Sequence, residues 1–287
     1  MSSELASLLA FAILTGLLLL VAYKRRLFSL PPSKEWFFPI RWYHVIAVFS
    51  LYFLVVWLLV PLLSVGLRGL GIQTPSIEGA VWLNFLSSLL IIGFIGLYLF
   101  LLPKEISQKI WRQSKKGVPL SDIQFSAIVW LLSFPAIIFC NQLLDFLLQF
   151  FFHIPLLPEQ LAVRFLKMTF DTPAHFFLTS IAIALCAPVI EEFLFRGFLQ
   201  SFIRQHLSNT SSIVITALCF SSFHYSPEQG VANLSIIVSL FLFALILGYV
   251  YDRRQSLVAP IALHALFNTI NIINLYFLGG FPRGPYL

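Results

Sequence analysis

The chain has 287 residues, of which 59% are hydrophobic and only 10% charged, with a mean hydropathy of +0.90. Soluble domains carry about a quarter charged residues, so this composition excludes an ordinary soluble globular protein. The net charge of +6 lies in segments between apolar runs, where basic residues set membrane topology. It is not a nucleic-acid signal.

Several apolar runs approach or exceed the roughly 20 residues needed to cross a hydrocarbon core as a helix. They do not alternate as the strands of a membrane barrel do. The fold expected is an all-α polytopic membrane helix bundle of about eight transmembrane helices, a multi-pass protein of the cell membrane. The first span covers about 5–23. Lys24, Arg25 and Arg26 follow it rather than precede it, the reverse of a secretory signal, so it reads as a retained span with its N-terminus outside. A basic loop with Lys34 and Arg41, broken at Pro31 and Pro32, leads to a second span at about 42–66. Trp42 and Tyr43 open that span as interfacial anchors.

A short loop with Arg68 and Glu78 precedes the third span, about 80–102. The loop after it is basic again, with Lys104, Lys109, Arg112, Lys115 and Lys116. A fourth span at about 125–152 follows, then a connector at 153–172, carrying Glu159, Arg164, Lys167 and Asp171, expected to be an amphipathic surface segment. By the positive-inside rule the first and third loops are cytoplasmic. Parity then favours one long helix from Pro173 to Leu207, kinked at Pro188. Spans at about 211–225, 231–251 and 257–277 complete the eight. The expected division is an N-terminal four-span region, 1–172, and a catalytic membrane core, 173–287.

Within this apolar background the stretch Leu185 to Phe198, LCAPVIEEFLFRGF, stands out. Glu191, Glu192 and Arg196 are three ionisable groups within six residues. Intramembrane charges are costly unless paired or facing water, and by default they mark function. Arg196 is four residues after Glu192, so the two share a helix face and can pair. That pairing leaves Glu191 as the free acid or base, since a carboxylate in low dielectric suits proton transfer near neutrality.

Few other polar groups fall at this depth. Glu191 is thirteen residues before Arg204, roughly 20 Å from the cytoplasmic side, and His264 is ten residues after Arg254, roughly 15 Å. His224, in CFSSFHY, and Asn268, one turn beyond His264, lie at a similar level. His224 could orient a water, and Asn268 with His264 could donate to an oxyanion. Glu191, His224 and His264 are also the candidates for a divalent metal such as zinc, but the HExxH spacing is absent.

The bland readings are an ion-pair brace for the glutamates and arginine, a core histidine for His224, and interhelical hydrogen bonding for His264 and Asn268. Ser221 and Ser222 are expected to bond their own helix backbone. Asn141, Asp145 and Gln149 form a second stripe at four-residue spacing, expected to be a polar seam facing the bundle. His153, His175 and His206 sit near span ends as interfacial residues. Cys140, Cys186 and Cys219 form no CxxC pair and are expected to be small core residues.

EEFLFR resembles the EExxxR motif of the CPBP (Abi) family, the CAAX-protease and bacteriocin-processing membrane proteins that include type II CAAX prenyl endopeptidases. Phe220 to His224 resembles that family's FxxxH motif and His264 to Asn268 its HxxxN motif, in the same order, over about residues 173–277. The resemblance implies an eight-helix intramembrane endopeptidase with a cavity open to the cytoplasm. It implies Glu191 as general base with His224, and His264 with Asn268 on the oxyanion side, with Glu192 and Arg196 supporting. The family is labelled both metalloprotease and glutamate-dependent without metal. The implied partners are membrane lipid and a prenylated or hydrophobic peptide or protein, not nucleic acid. The alternative functions are a transporter or proton relay, and a non-catalytic immunity or scaffold member of the family. The first four spans resemble no motif.

Overall fold

A computed structural model describes residues 2–24, 40–112, 119–153 and 157–278. Arg25, Arg26, Pro31, Pro32, Lys34, Lys115 and Lys116 lie outside the described residues. The described chain is helical, and it contains no strand beyond an isolated antiparallel bridge between Arg112 and Ser256. Seven helical runs among the described residues are long and apolar enough to cross a membrane.

The elements in chain order are α1 (Ser2–Lys24), α2 (Trp42–Gly69), α3 (Ile77–Leu101), α4 (Lys104–Trp111), α5 (Pro119–Phe152), α6 (Leu161–Lys167), α7 (Pro173–Ile203), α8 (Asn209–Ser222), α9 (Asn233–Arg254) and α10 (Val258–Leu278). A 3₁₀ turn, Pro227–Ala232, leads into α9. The protein is a multi-pass, all-α membrane bundle.

Two of these elements depart from expectation in instructive ways. The sixth expected span, 211–225, forms α8, a helix of 14 residues, about 21 Å long and shorter than a hydrocarbon core. Ser208 starts it by accepting from the Ser211 amide. It ends at Ser222, and His224 follows in a turn whose amide donates to the Ser221 carbonyl, its side chain half-buried.

The stretch 173–203 is one continuous helix, as parity favours, but it carries π-helical turns at Ala182–Cys186 and Phe193–Gln200. Pro173 occupies its first turn, where a missing N–H costs nothing. The π-turn just before Pro188 gives the ring room: Ala187 donates to the Ala182 carbonyl. The next bond of that series would run from residue 188 to the Ile183 carbonyl, and proline has no N–H to give.

α7 is the centre of the bundle. It packs against α2, α3, α8 and α10, and α5 packs against α1, α9 and α10. Every residue from Glu192 to Phe198 is buried, although the run passes all round a helix. Phe193, Leu194, Phe195 and Phe198 form one core with Val48 and Val55 of α2, Ile91 and Ile95 of α3, Ala217 and Phe220 of α8, and Ala244 of α9. Gly248 of α9 allows a close approach of α9 to α7 and α8: a Cβ there would stand 3.0 Å from Gln200 Oε1 and from Ile213 Cγ2. Gln200 uses that closeness to donate to the Gly248 carbonyl at 3.1 Å.

A buried ionic clamp closes the end of the bundle where α9 turns into α10. Asp122 of α5 accepts from Arg112 and from Arg254, the latter at 2.7 Å. Arg112 also pairs through the bridge with Ser256, and Leu257 donates to the Trp111 carbonyl at 2.9 Å. Arg112 and Arg254 were expected only as topology determinants; the structure gives them this structural partner as well.

Cys219 corrects the expectation of three core cysteines. Cys186 is buried and Cys140 half-buried, but Cys219 is exposed on the outward face of α8. The residues on either side explain it: Phe220 takes the inward position and Leu218 shares the outward one.

Candidate active site

The site assembles from three elements. α7 supplies Glu191, Glu192 and Arg196, the turn after α8 supplies His224, and α10 supplies His264 and Asn268. Adjacent residues on a helix point in different directions. That offset gives the two glutamates different surroundings.

Glu192 faces the core and is fully buried. Its Oε1 accepts from Arg196 Nη1 at 3.0 Å and lies 2.9 Å from His264 Nδ1. Arg196, also 0% exposed, donates from Nη2 to the Ala244 carbonyl at 3.0 Å, and its guanidinium carbon lies 4.7 Å from the centre of the Phe220 ring. One arginine thus ties α7 to α8 and α9. A carboxylate so paired accepts hydrogen bonds only, so the proton shared with His264 sits on Nδ1.

Glu191 faces the opening between the helices, with 21% of its side chain exposed. Its Oε2 is shielded from solvent and has no hydrogen-bond partner within the protein. It stands 3.9 Å from His224 Nε2 and 3.9 Å from His264 Nε2. Both rings are fixed from behind. His224 Nδ1 is 2.9 Å from the Phe220 carbonyl, which only accepts, so this nitrogen carries the proton. His264 Nδ1 is held by Glu192. In the neutral form of each ring, Nε2 is then a lone-pair acceptor turned toward Glu191.

Asn268 is brought to α7 but not to the glutamates. Its Nδ2 donates to the Ile183 carbonyl at 2.8 Å, the carbonyl that Pro188 leaves without a helical donor. The asparagine therefore satisfies a defect that the proline creates. His264, expected beside Asn268 as a donor to substrate, is engaged through Nδ1 with Glu192.

An aromatic cluster joins the His224 turn to α2 and α7. Phe223 contacts Phe49, Tyr52 and Phe53 of α2, with centroids 6.5, 5.4 and 6.0 Å apart, and Phe195 of α7 at 5.7 Å. The sequence does not single out these rings. A cue was available only in the crowding of aromatic residues at 49–57.

The other candidates fall elsewhere. Ser221 bonds the Leu218 carbonyl of its own helix. His153 and His206 are exposed, and His175 is half-buried near the start of α7. Asn141 donates to Asp145 at 2.9 Å and accepts from Ser239 of α9 at 3.0 Å, a seam between α5 and α9.

The same geometry bears on the metal alternative. Zinc bonds of about 2.0–2.1 Å in a tetrahedron set ligand atoms about 3.4 Å apart. The 3.9 Å separations around Glu191 Oε2 are wider than that. Among the described residues no group of three or more His, Cys, Asp or Glu side chains is arranged to hold a metal ion. The residues as placed do not fit a zinc site.

Residues 173–270 match the family model of Rce1-like type II CAAX prenyl endopeptidases. This Rce1-like segment is about a third of the chain and contains all six residues of the site. A curated relative, the UPF0177 protein in abiGi 5'region from Lactococcus lactis subsp. cremoris, is 28% identical over 94 residues. That match covers 33% of this chain and 37% of the relative, so the chain spans little more than a third of the relative's length in alignment. No solved structure matches. The segment before the Rce1-like part, with α1 to α6, is outside the family match.

Proposed function

We propose that the protein is an intramembrane endopeptidase that hydrolyses a peptide bond near the C-terminus of a prenylated or otherwise hydrophobic substrate. The observation that carries this reading is the convergence of three acceptor atoms, Glu191 Oε2 and the two Nε2 atoms, with both histidine rings held from behind. A gap of 3.9 Å is too long for a direct hydrogen bond and short enough for one water to reach both sides at about 2.8 Å. A water there has only two protons to donate among the three acceptors. Its lone pairs are left for an incoming carbonyl carbon.

The chemistry then balances as follows. Glu191 takes a proton from the water as hydroxide adds to the scissile carbonyl, and the C=O π-electrons move to oxygen. His224 holds the water in line. Asn268 Nδ2 gives one N–H to the Ile183 carbonyl and so holds α10 against the helix that carries Glu191. Collapse of the tetrahedral intermediate breaks the C–N bond, and Glu191 passes its proton to the leaving amine. Glu192 and Arg196 act behind His264 as positioning residues, keeping its Nε2 toward Glu191. A positioned acid or base of this kind contributes about 10²–10⁴-fold.

The match to the Rce1-like family supports the reaction class, and the aromatic cluster around Phe223 supports an apolar substrate. The test is mass spectrometry of a farnesylated peptide ending in CAAX after incubation with the purified full-length protein. Release of the C-terminal tripeptide is expected. A peptide left intact, together with glutamate-dependent proton uptake into proteoliposomes, would replace this reading with a proton relay.

A further inference from the structure

A second polar site lies on the other side of His264. Between α5, α9 and α10 is a cavity of about 320 Å³, rimmed by the connector residues 157–160. It is lined by the first half of α9, 235–243, and so lies away from the Arg253–Arg254 end of that helix. Phe243 and Phe267 stack with centroids 4.3 Å apart and form one wall; Phe243 also meets the His264 ring edge-on at 5.2 Å. This aromatic pair separates the cavity from the glutamate and histidine cluster.

Asp145 faces this cavity. Its Oδ2 accepts from Asn141 at 2.9 Å, and Ser235 lies beside it. Among the described residues no Lys, Arg or His is within ion-pair distance of it, in contrast to Glu192, Asp122 and Asp252, each of which has an arginine. The cavity lining contains two carboxylates, Asp145 and Glu159, and no basic side chain. Glu159 at the rim already pairs with Lys167. Asp145 is thus the one lining carboxylate without a cation, and it sits in a membrane-spanning helix, where an uncompensated charge is costly.

We propose that this cavity binds a primary ammonium group carried on a short hydrocarbon chain. The ammonium pairs with Asp145 and donates to the neighbouring oxygens of Asn141 and Ser239. The aromatic faces of Phe243 and Phe267 add cation–π attraction. The isoleucine and leucine side chains that complete the wall receive the hydrocarbon. A primary ammonium has three donors in a compact head, which suits a carboxylate flanked by an amide and two hydroxyls. The same chemistry is carried by a free alkylamine and by an ethanolamine lipid headgroup.

The experiment is binding of radiolabelled n-hexylamine to the full chain in phosphatidylglycerol nanodiscs, with empty discs subtracted. Saturable binding is expected, displaced by unlabelled n-hexylamine and not by n-hexanol, which keeps the chain and lacks the charge. Asp145→Asn should weaken it at least about tenfold, the order expected for loss of a charge-assisted contact. Ile236→Trp, which fills the cavity and leaves the carboxylate, should also abolish it. Glu191→Gln should bind as the wild type does. Discs containing phosphatidylethanolamine distinguish the sources: reduced hexylamine binding identifies the lipid headgroup as the occupant, and unchanged binding identifies a free amine. Absence of saturable binding, equal displacement by n-hexanol, or undiminished binding by a folded Asp145→Asn protein would each overturn the proposal. Should Asp145→Asn fail to fold, the comparison of amine with alcohol on the wild type still decides it.

Discussion

His264 donates from Nδ1 to Glu192 Oε1 across 2.9 Å, and this bond ties the last helix to the buried ion pair on α7. It also turns the other ring nitrogen toward Glu191. The two adjacent glutamates therefore have separate tasks: one holds a ring in place and the other faces the opening.

The first prediction concerns the buried pair. Glu192→Gln leaves Arg196 charged in a fully buried position, and breaking such a pair costs about 3–5 kcal/mol. A large fall in the thermal transition of the detergent-solubilised protein is expected. Replacing both partners with apolar residues, Glu192→Leu with Arg196→Met, should cost less than either single change, since no charge is stranded. Strictly additive losses would show that the two residues do not act as a pair.

His224 should behave in the opposite way. Its ring bonds only a carbonyl of its own turn and is partly exposed. His224→Ala is expected to change stability by less than about 1 kcal/mol while lowering cleavage about 10²–10⁴-fold. Parallel melting and turnover measurements on the same preparation check this. Loss of folding in step with activity would make the histidine a structural residue.

Asn268 and Pro188 should be coupled. Asn268→Ala leaves the Ile183 carbonyl unsatisfied, at about 1–3 kcal/mol. Pro188→Ala restores a backbone N–H that can serve that carbonyl. The cost of Asn268→Ala should therefore shrink in the Pro188→Ala background, a double-mutant cycle readable by thermal unfolding. Equal costs in both backgrounds would mean the amide does not compensate for the proline.

The clamp around Asp122 is predicted to matter for stability alone. Asp122→Ala removes the common acceptor of Arg112 and Arg254, whose side chains retain 21% and 26% exposure and can turn to water. The expected loss is about 1–3 kcal/mol, with cleavage per folded molecule unchanged. A selective loss of turnover at full stability would place the clamp in the mechanism instead.

Much of this was legible in the sequence, because helix periodicity carries it. The four-residue spacing of Glu192 and Arg196 dictated their pairing, and hydropathy with the basic loops dictated the bundle. What escaped was set by contacts between elements. Nothing in the HALFN spacing says that His264 will reach back to Glu192, or that Asn268 will serve a carbonyl 85 positions earlier. The π-turns of α7 arise from proline accommodation and dense packing around Phe193–Phe198, for which the residue pattern has no period. The shortness of α8 follows from the turn after Ser222, which interrupts an apolar run that composition alone would extend. The cavity beside Asp145 depends on how α5 and α9 diverge, a property of neither helix.

The most direct measurement compares cleavage of a quenched fluorescent farnesylated CAAX peptide by the wild-type protein and by Glu191→Gln. The substitution removes the base and keeps the shape of a side chain whose Oε2 has no hydrogen-bond partner within the protein. The account predicts cleavage by the wild type, a loss of about 10²–10⁴-fold in the variant, and coincident melting curves. Cleavage by Glu191→Gln at the wild-type rate would contradict it.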